Sequence, residues 1–171
     1  MSFKMRMSTK TKSLPHQTAL DIPADKRNAA VRILNQQLAN LSDLASQTKQ
    51  AHWNVRGLEF YQLHKLFDDL VAPLGEHIDS VAERAVTLGG FAMGTVRCAA
   101  ANSAIEEFPL EPGALEYVKA LAKRYAQAAN SVRGAIDQTA EIGDLDTADL
   151  FTQISRDLDK SVWFLEAHFR A

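Results

Sequence analysis

The sequence lacks several features that would point to other classes of protein. A single cysteine, Cys98, excludes an internal disulfide, and with no motif around it we expect a small buried residue in a reducing compartment such as the cytoplasm. Eight glycines and five prolines in 171 residues, 46% of which are hydrophobic, indicate one helical domain with a proper core. No apolar run reaches the roughly 18 residues of a membrane span, so no membrane partner is expected. The net charge of −2 does not favour nucleic-acid binding by the body of the protein.

Acidic residues are absent from the start of the chain, where the first acid is Asp21. The same stretch is basic and has no apolar segment of the kind found in secretory signals. We therefore predict a flexible basic tail over residues 1–20 and a helical domain over residues 21–171. The tail either binds polyanions or only aids solubility. Its cations are Lys4, Arg6, Lys10 and Lys12.

Apolar residues recur at spacings of three and four through four long segments, which predicts four helices and no strands. About 25 residues connect the second helix to the third, with a short helix expected near Thr95–Ala101. A connection of that length suits a crossover in a four-helix bundle. The sequence therefore predicts an all-α bundle with a long crossover between helices 2 and 3. The predicted helices run from the Ile22-Pro23-Ala24-Asp25 entry to Gly57, over Phe60–Leu88, over Ala114–Ile142 and over Thr147–Phe169.

The second predicted helix carries two pairs of potential metal ligands at i,i+4 spacing, His64 with Asp68 and Asp79 with Glu83. Eleven residues separate Asp68 from Asp79, about three turns, so both pairs lie on one side of the helix. The rise of about 16 Å between the pairs is too long for one metal centre. The numbers are palindromic, however, because 64 and 83 sum to 147, as do 68 and 79. A two-fold axis near Pro73–Leu74 would bring each pair opposite its complement in a second chain and create two identical sites.

His52 ends the apolar stripe of the first helix and is the fifth candidate ligand, while Ala72 and Gly75 are small enough for close approach at the axis. Imidazole and carboxylate ligands suit iron, manganese or zinc, and the absence of thiolates argues against a structural zinc site. The set offers no positioned nucleophile, which favours redox chemistry at the metal over hydrolysis. The alternative is a solvated helix face on which Glu83 pairs with Arg84 or a lysine. The alignment of two pairs beside His52 favours the metal site. Neither Glu-x-x-His nor His-Glu-x-x-His occurs, which argues against an in-bundle di-iron centre and a zinc protease.

These residues lie in a long motif that resembles the Dps family (DNA-binding protein from starved cells, or mini-ferritins). The motif is Lys49-x-x-His52-Trp53-Asn54-Val55-x-Gly57-x-x-Phe60-x-x-x-His64-x-x-Phe67-Asp68, followed by Asp79-x-x-Ala82-Glu83-Arg84. The resemblance covers residues 20–171 and includes the closing Ser155-Arg156-Asp157-Leu158-Asp159-Lys160-x-x-Trp163. It implies a ferritin-like four-helix bundle in a hollow dodecameric shell. It also implies oxidation of ferrous iron, preferentially by hydrogen peroxide, and storage of the ferric mineral.

The resemblance further implies roles for individual residues. Trp53 and Trp163 match tryptophans near the family's metal site that can supply electrons, although core packing explains Trp163 equally well. By position, the family's ferroxidase ligands for iron match His52, His64 and Asp68 of one subunit and Asp79 and Glu83 of its two-fold mate.

An acid that matches Asp149 lines the family's three-fold iron-entry pore, and Asp146 and Asp144 lie beside it in the sequence. The structural alternative is that Asp146 caps the fourth helix and that Asp149 occupies its N3 position, where acids favour the helix dipole. Both roles can coexist.

Many family members bind DNA through a lysine-rich tail, whereas others lack the tail and do not. The basic tail here therefore implies sequence-independent DNA binding, multiplied by twelve copies in a shell, and association with the nucleoid. Two alternatives remain open. One is a mini-ferritin that does not bind DNA, and the other is a DNA-compacting protein whose metal site is vestigial.

Overall fold

The computed structural model describes residues 14–110 and 113–170. The tail cations Lys4, Arg6, Lys10 and Lys12 lie outside the described residues. Within the described ranges the chain forms five helices and no strands, which confirms the all-α prediction. The predicted bounds agree to within about three residues, the usual uncertainty at helix ends. The helices are α1 (Ala24–Asn54), α2 (Phe60–Thr87), α3 (Val96–Asn102), α4 (Ala114–Glu141) and α5 (Leu145–Glu166).

The four long helices form two antiparallel hairpins, α1 with α2 and α4 with α5, and these hairpins pack together. Contacts at the two ends establish the directions. A Cβ atom placed on Gly57, in the α1–α2 turn, would lie 3.9 Å from the Cβ of Ala114 at the start of α4. At the other end, Arg84 near the end of α2 donates a 2.7 Å hydrogen bond to Asp144, which follows α4. Helices α2 and α4 therefore run in the same direction, as the predicted crossover allows.

Side chains from all four long helices fill the core, and fully buried examples are Leu41, Phe67, Tyr125 and Phe151. Leu115 is apolar and was expected on the inner side of its helix, but it is 42% exposed because it lies in the first turn of α4 at the end of the bundle. Cys98 is only half-buried, because it lies on α3 at the surface of the crossover, so its expected burial was wrong. No helix in the described part of the chain is long and apolar enough to cross a membrane.

Side-chain amides of α1 fasten the crossover to the bundle, a feature that the sequence analysis did not predict. Asn35 donates to the carbonyl of Phe91 (2.9 Å) and accepts from the backbone N–H of Met93 (2.7 Å). Asn40 is buried and accepts from the backbone N–H of Ala104 (2.9 Å). Because these bonds satisfy backbone groups that form no regular structure, the crossover is held at defined heights along α1.

Candidate metal site

His52 and His64 meet where the end of α1 faces the first turns of α2. Nδ1 of His52 lies 2.8 Å from the carbonyl oxygen of His64, and Nδ1 of His64 lies 2.9 Å from that of His52. The two rings stack, with centroids 3.7 Å apart. A carbonyl oxygen only accepts, so each Nδ1 carries the donated proton, and in the neutral form of either ring the lone pair is on Nε2. This is the arrangement in which a histidine is oriented to bind a metal.

Asp68 lies one turn after His64 and is held by Lys49, a residue of the sequence motif to which the sequence analysis gave no role. The Lys49 ammonium donates a 2.9 Å hydrogen bond to Oδ1 of Asp68. This bond holds the pKa of the Asp68 carboxyl below its usual value of 3.8. The same oxygen lies 4.0 Å from Nδ1 of His52. Asp68 is therefore an oriented carboxylate beside two oriented imidazoles.

Asp79 and Glu83 lie on the same helix, three turns farther on, and both are exposed. Within residues 14–110 and 113–170, neither forms an ion pair, and Arg84 contacts Asp144 instead of Glu83. The same ranges contain no group of three or more potential ligands that could hold one metal ion. The single subunit thus presents two separate sets of ligands. We call His52, His64 and Asp68 the histidine half-site and Asp79 and Glu83 the acidic half-site.

The surface of α2 between the half-sites is open. Ala72 and Gly75 are exposed, and a Cβ atom added to Gly75 would meet nothing within 4 Å. The numbers 72 and 75 also sum to 147. The small residues expected at the axis are therefore exposed, and the space beside Gly75 is open within the described part of the subunit.

The two tryptophans have different surroundings. Trp53 is exposed next to His52, and the Lys49 ammonium lies 5.9 Å from the centroid of its ring, a cation–π distance. Lys49 therefore contacts both Trp53 and Asp68. Trp163 is exposed near the end of α5 and packs against Phe164, with ring centroids 5.0 Å apart. Its exposure contradicts core packing, while none of its described contacts joins it to the histidine half-site.

The three acids at the start of α5 differ in position. Asp144 is 2% exposed and is the N-cap, since it accepts from the backbone N–H of Thr147 (3.2 Å) and pairs with Arg84. The assignment of the cap to Asp146 and of N3 to Asp149 was therefore wrong, because α5 begins two residues earlier than predicted. The side chain of Asp146 is 87% exposed and Asp149 is also exposed. Only these two acids face solvent, as a pore lining requires.

His77, to which the sequence analysis gave no role, is buried between α2 and α5. Its Nε2 lies 3.1 Å from Oδ2 of Asp157, within ion-pair distance although outside hydrogen-bond geometry. The spacing of His77 from Leu74 and Val81 places it in the core stripe of α2, which is the only signal that could have shown its burial. His77 therefore lies against α5 on the side of α2 away from the candidate ligands.

Known proteins share this fold and sequence. The ferritin-like domain family matches residues 31–171. A DNA protection during starvation protein from Agrobacterium fabrum is 44% identical over 154 residues, which cover 90% of this chain and 95% of that protein.

Solved structures agree with these sequence matches. DpsA14 from Streptomyces coelicolor superposes with a TM-score of 0.88 at 30% identity, covering 93% of this chain and 95% of that one. A Dps protein from Bacillus brevis superposes with a TM-score of 0.81, also at 30% identity, covering 86% and 99% of the two chains. The chain therefore belongs to the ferritin-like proteins and, among them, to the Dps family.

Proposed function

We propose that this protein oxidises ferrous iron at sites shared by two-fold-related subunits and stores the ferric product inside a dodecameric shell. The observation that carries the proposal is the histidine half-site, in which two imidazoles present free Nε2 lone pairs beside an ionised carboxylate. The acidic half-site lies on the same face of α2 in palindromic register. Membership of the Dps family supports the same activity.

The donor set suits iron as the substrate. Two neutral imidazoles and the carboxylates of Asp68, Asp79 and Glu83 would bring three negative charges to each shared site. Nitrogen and carboxylate donors accept both ferrous and ferric iron, so the ligands can remain in place while the charge of the metal rises. The Lys49 ammonium keeps Asp68 ionised and oriented until iron replaces it as the partner of that carboxylate.

Hydrogen peroxide is the oxidant that we propose. Two ferrous ions each give up one electron, and one peroxide takes both electrons with two protons to form two water molecules. Because the O–O bond is cleaved with both electrons supplied, no hydroxyl radical is released, and DNA near the shell is spared. Trp53, in contact with Lys49 at the site, is the tryptophan placed to supply an electron when only one ferrous ion is present.

The shell and its iron path complete the proposal. Asp146 and Asp149 face solvent at the start of α5, and three copies around a pore would form a ring that attracts ferrous ions. Asp144 is excluded from this role because its carboxylate is buried against Arg84 and Thr147.

The ferroxidase proposal is tested with Asp79→Ala/Glu83→Ala, which removes the acidic half-site without touching the histidine half-site. Peroxide-driven oxidation of ferrous iron, followed by the absorbance of the ferric product, should fall by at least about 100-fold. The matched control is Asp137→Ala/Glu141→Ala, because these two carboxylates have the same i,i+4 spacing and are exposed on α4, away from both half-sites. Equal rates for the two double variants would contradict the proposal.

We also propose that the assembled protein binds DNA without sequence preference through the tail, and that it acts in the cytoplasm at the nucleoid. The support is the four cations in residues 1–13 and the name of the Agrobacterium fabrum relative, DNA protection during starvation protein. Twelve weak tails on one shell would bind DNA far more tightly than one.

Gel shifts of the full chain and of a chain that lacks residues 1–15 test this proposal at low and high salt. The full chain should shift DNA at low salt and lose the shift steeply as salt rises, because phosphate contacts release counterions. Equal binding by the truncated chain would show that the tail is not the binding element. No binding by either chain would leave a mini-ferritin, while DNA binding without iron oxidation would favour a DNA-compacting protein.

A further inference from the structure

A groove of ≈ 510 Å³ lies beside the acidic half-site and opens to the exterior. Its lining is mostly apolar, and Val86, one turn after Glu83, is 50% exposed within it. The groove lies beside Glu83 on α2, where its apolar lining offers space for a side chain of a second subunit. Its lining residues are Ala82, Glu83, Val86 and Thr87 of α2 and Ala92 of the crossover.

Tyr61 is a large side chain near the other end of α2 that has no place in the core. It is 69% exposed, and neighbouring Leu58 is 97% exposed. Tyr61 lies seven residues before Asp68, so the two side chains point in directions about 20° apart. Val86 lies seven residues after Asp79 and shares its direction in the same way. Tyr61 and Val86 thus extend the ligand face of α2 outward at its two ends.

The two positions obey the palindrome of the ligands, because 61 and 86 sum to 147. An axis that sets His64 opposite Glu83 of the second copy therefore sets Tyr61 opposite Val86, about one turn farther from the axis. Iron would bridge the two helices at the positions of the ligands themselves. One turn farther from the axis there is no metal to bridge the two α2 helices, so only a large side chain can span the distance between them. At that height Tyr61 of one subunit faces the groove of the other.

We propose that Tyr61 of each subunit packs into the groove beside Glu83 of its two-fold mate, so that an aromatic ring closes the outer end of each shared metal site. The inference rests on the two-fold axis of the proposed function. It adds a contact that involves no metal ligand, and the contact can therefore be tested without iron. Two reciprocal contacts of this kind lie at the ends of one interface, as an isologous dimer requires.

Thiol cross-linking tests the contact directly. Tyr61→Cys and Val86→Cys are combined in a Cys98→Ser background, and the assembled protein is treated without metal with a short bismaleimide, because a gap that tyrosine fills is too wide for a disulfide. Denaturing gels should show covalent dimers and no larger products, because the two links close within one pair of subunits. A ladder of larger products would mean a non-closing contact, and unlinked chains would mean no contact. Either result would overturn the proposal.

Three matched controls accompany the cross-link. Each single cysteine variant should run as an unlinked chain on the same gels. The two copies of residue 61, and likewise of residue 86, lie about 37 Å apart along antiparallel helices. Tyr61→Cys/Glu76→Cys places the second thiol on the same helix but about 15 Å out of register, and it should not cross-link either. Cross-linking of this control as fast as the 61/86 pair would overturn the register.

A side-chain exchange tests the packing independently. Tyr61→Val should raise the protein concentration at which the metal-free assembly dissociates by about tenfold, as measured by sedimentation. Tyr61→Val/Val86→Tyr restores the same two side chains to one contact and should recover most of that loss. If the exchange is no better than the single variant, residues 61 and 86 do not meet. Cross-linking in a protein that does not oxidise iron would reject the proposed function and leave this contact standing.

Discussion

The two half-sites lie on one helix and are built in opposite ways. In the histidine half-site, His52 and His64 hold each other through reciprocal bonds to backbone carbonyls, and Lys49 holds Asp68. In the acidic half-site, Asp79 and Glu83 are exposed and form no ion pair within the described residues. The described part of the subunit therefore orients one set of candidate ligands and leaves the other set exposed to solvent.

The difference follows from where each set receives its contacts. His52 and His64 come from two helices, so the α1–α2 hairpin alone can fix their tautomers and ring planes. Asp79 and Glu83 come from the outer face of one helix, where neither carboxylate has a hydrogen bond or ion pair within the described residues. In the described subunit only the histidine half-site is preorganised, so the orientation of Asp79 and Glu83 has to come from the contacts they make in the assembly.

The largest effect is expected when two inactive variants are mixed, which tests whether the two half-sites meet between subunits. Chains with His64→Ala/Asp68→Ala lack one half-site, and chains with Asp79→Ala/Glu83→Ala lack the other. Co-refolded at equal amounts, half of the dimers pair unlike chains, and each of these has one complete site. Ferrous oxidation should therefore rise from near zero to about a quarter of the wild-type rate. A mixture as inactive as its components would show that the half-sites do not meet between subunits.

The next largest effect is expected at the end of α2, on the side of the helix that faces the bundle. Glu83 is exposed, but the adjacent Arg84 is paired with the buried N-cap Asp144. Asp144→Ala removes the N-cap of α5 and leaves the partly buried guanidinium of Arg84 without its main partner. The free energy of unfolding should therefore fall by about 3 kcal/mol. Urea unfolding of the metal-free protein measures it, with exposed Asp146→Ala as the control that should change stability by less than about 0.5 kcal/mol. Similar losses in both variants would refute the assignment of the cap.

The half-sites should also differ in what they contribute to subunit stability. His52→Ala removes an oriented donor and leaves the carbonyl of His64 without its partner, which should cost about 2 kcal/mol. Asp79→Ala removes an exposed carboxylate and should change the free energy of unfolding by less than about 0.5 kcal/mol. Unfolding of both variants without metal, at one protein concentration, makes the comparison. A loss for Asp79→Ala as large as that for His52→Ala would mean that the acidic half-site is also structured.

The smallest effect is expected on the stability of the protein at low pH. The pKa of Asp68 is lowered in the folded protein, so its contact with Lys49 stabilises the fold fully above the ordinary pKa of 3.8. That contribution is lost as the pH falls through the lowered pKa. Lys49→Met should leave stability less dependent on pH below about pH 4, as measured by thermal unfolding at successive pH values. If the stability of this variant falls with pH below about pH 4 as steeply as that of the wild type, Lys49 does not have the role proposed for it.

Local patterns were enough to predict the helices and the candidate ligands. The spacing of apolar residues gave helix bounds close to those observed, because a helix buries one side along its whole length. Contacts between distant segments could not be predicted in this way. The exposure of Leu115, the pair formed by His77 and Asp157, and the amide bonds of Asn35 all depend on which segments become neighbours in space.

The sequence by itself determined that the ligands lie on one side of α2 in palindromic register, because helical spacing depends only on residue number. It also determined that a lone subunit cannot gather them, because each residue adds about 1.5 Å of rise. Only the tertiary structure decided that Nδ1 of each histidine meets a carbonyl oxygen, that Lys49 orients Asp68, and that Asp144 is buried while Asp146 and Asp149 are exposed. These features depend on the relative rotation and height of packed helices, which the fit of the whole core sets.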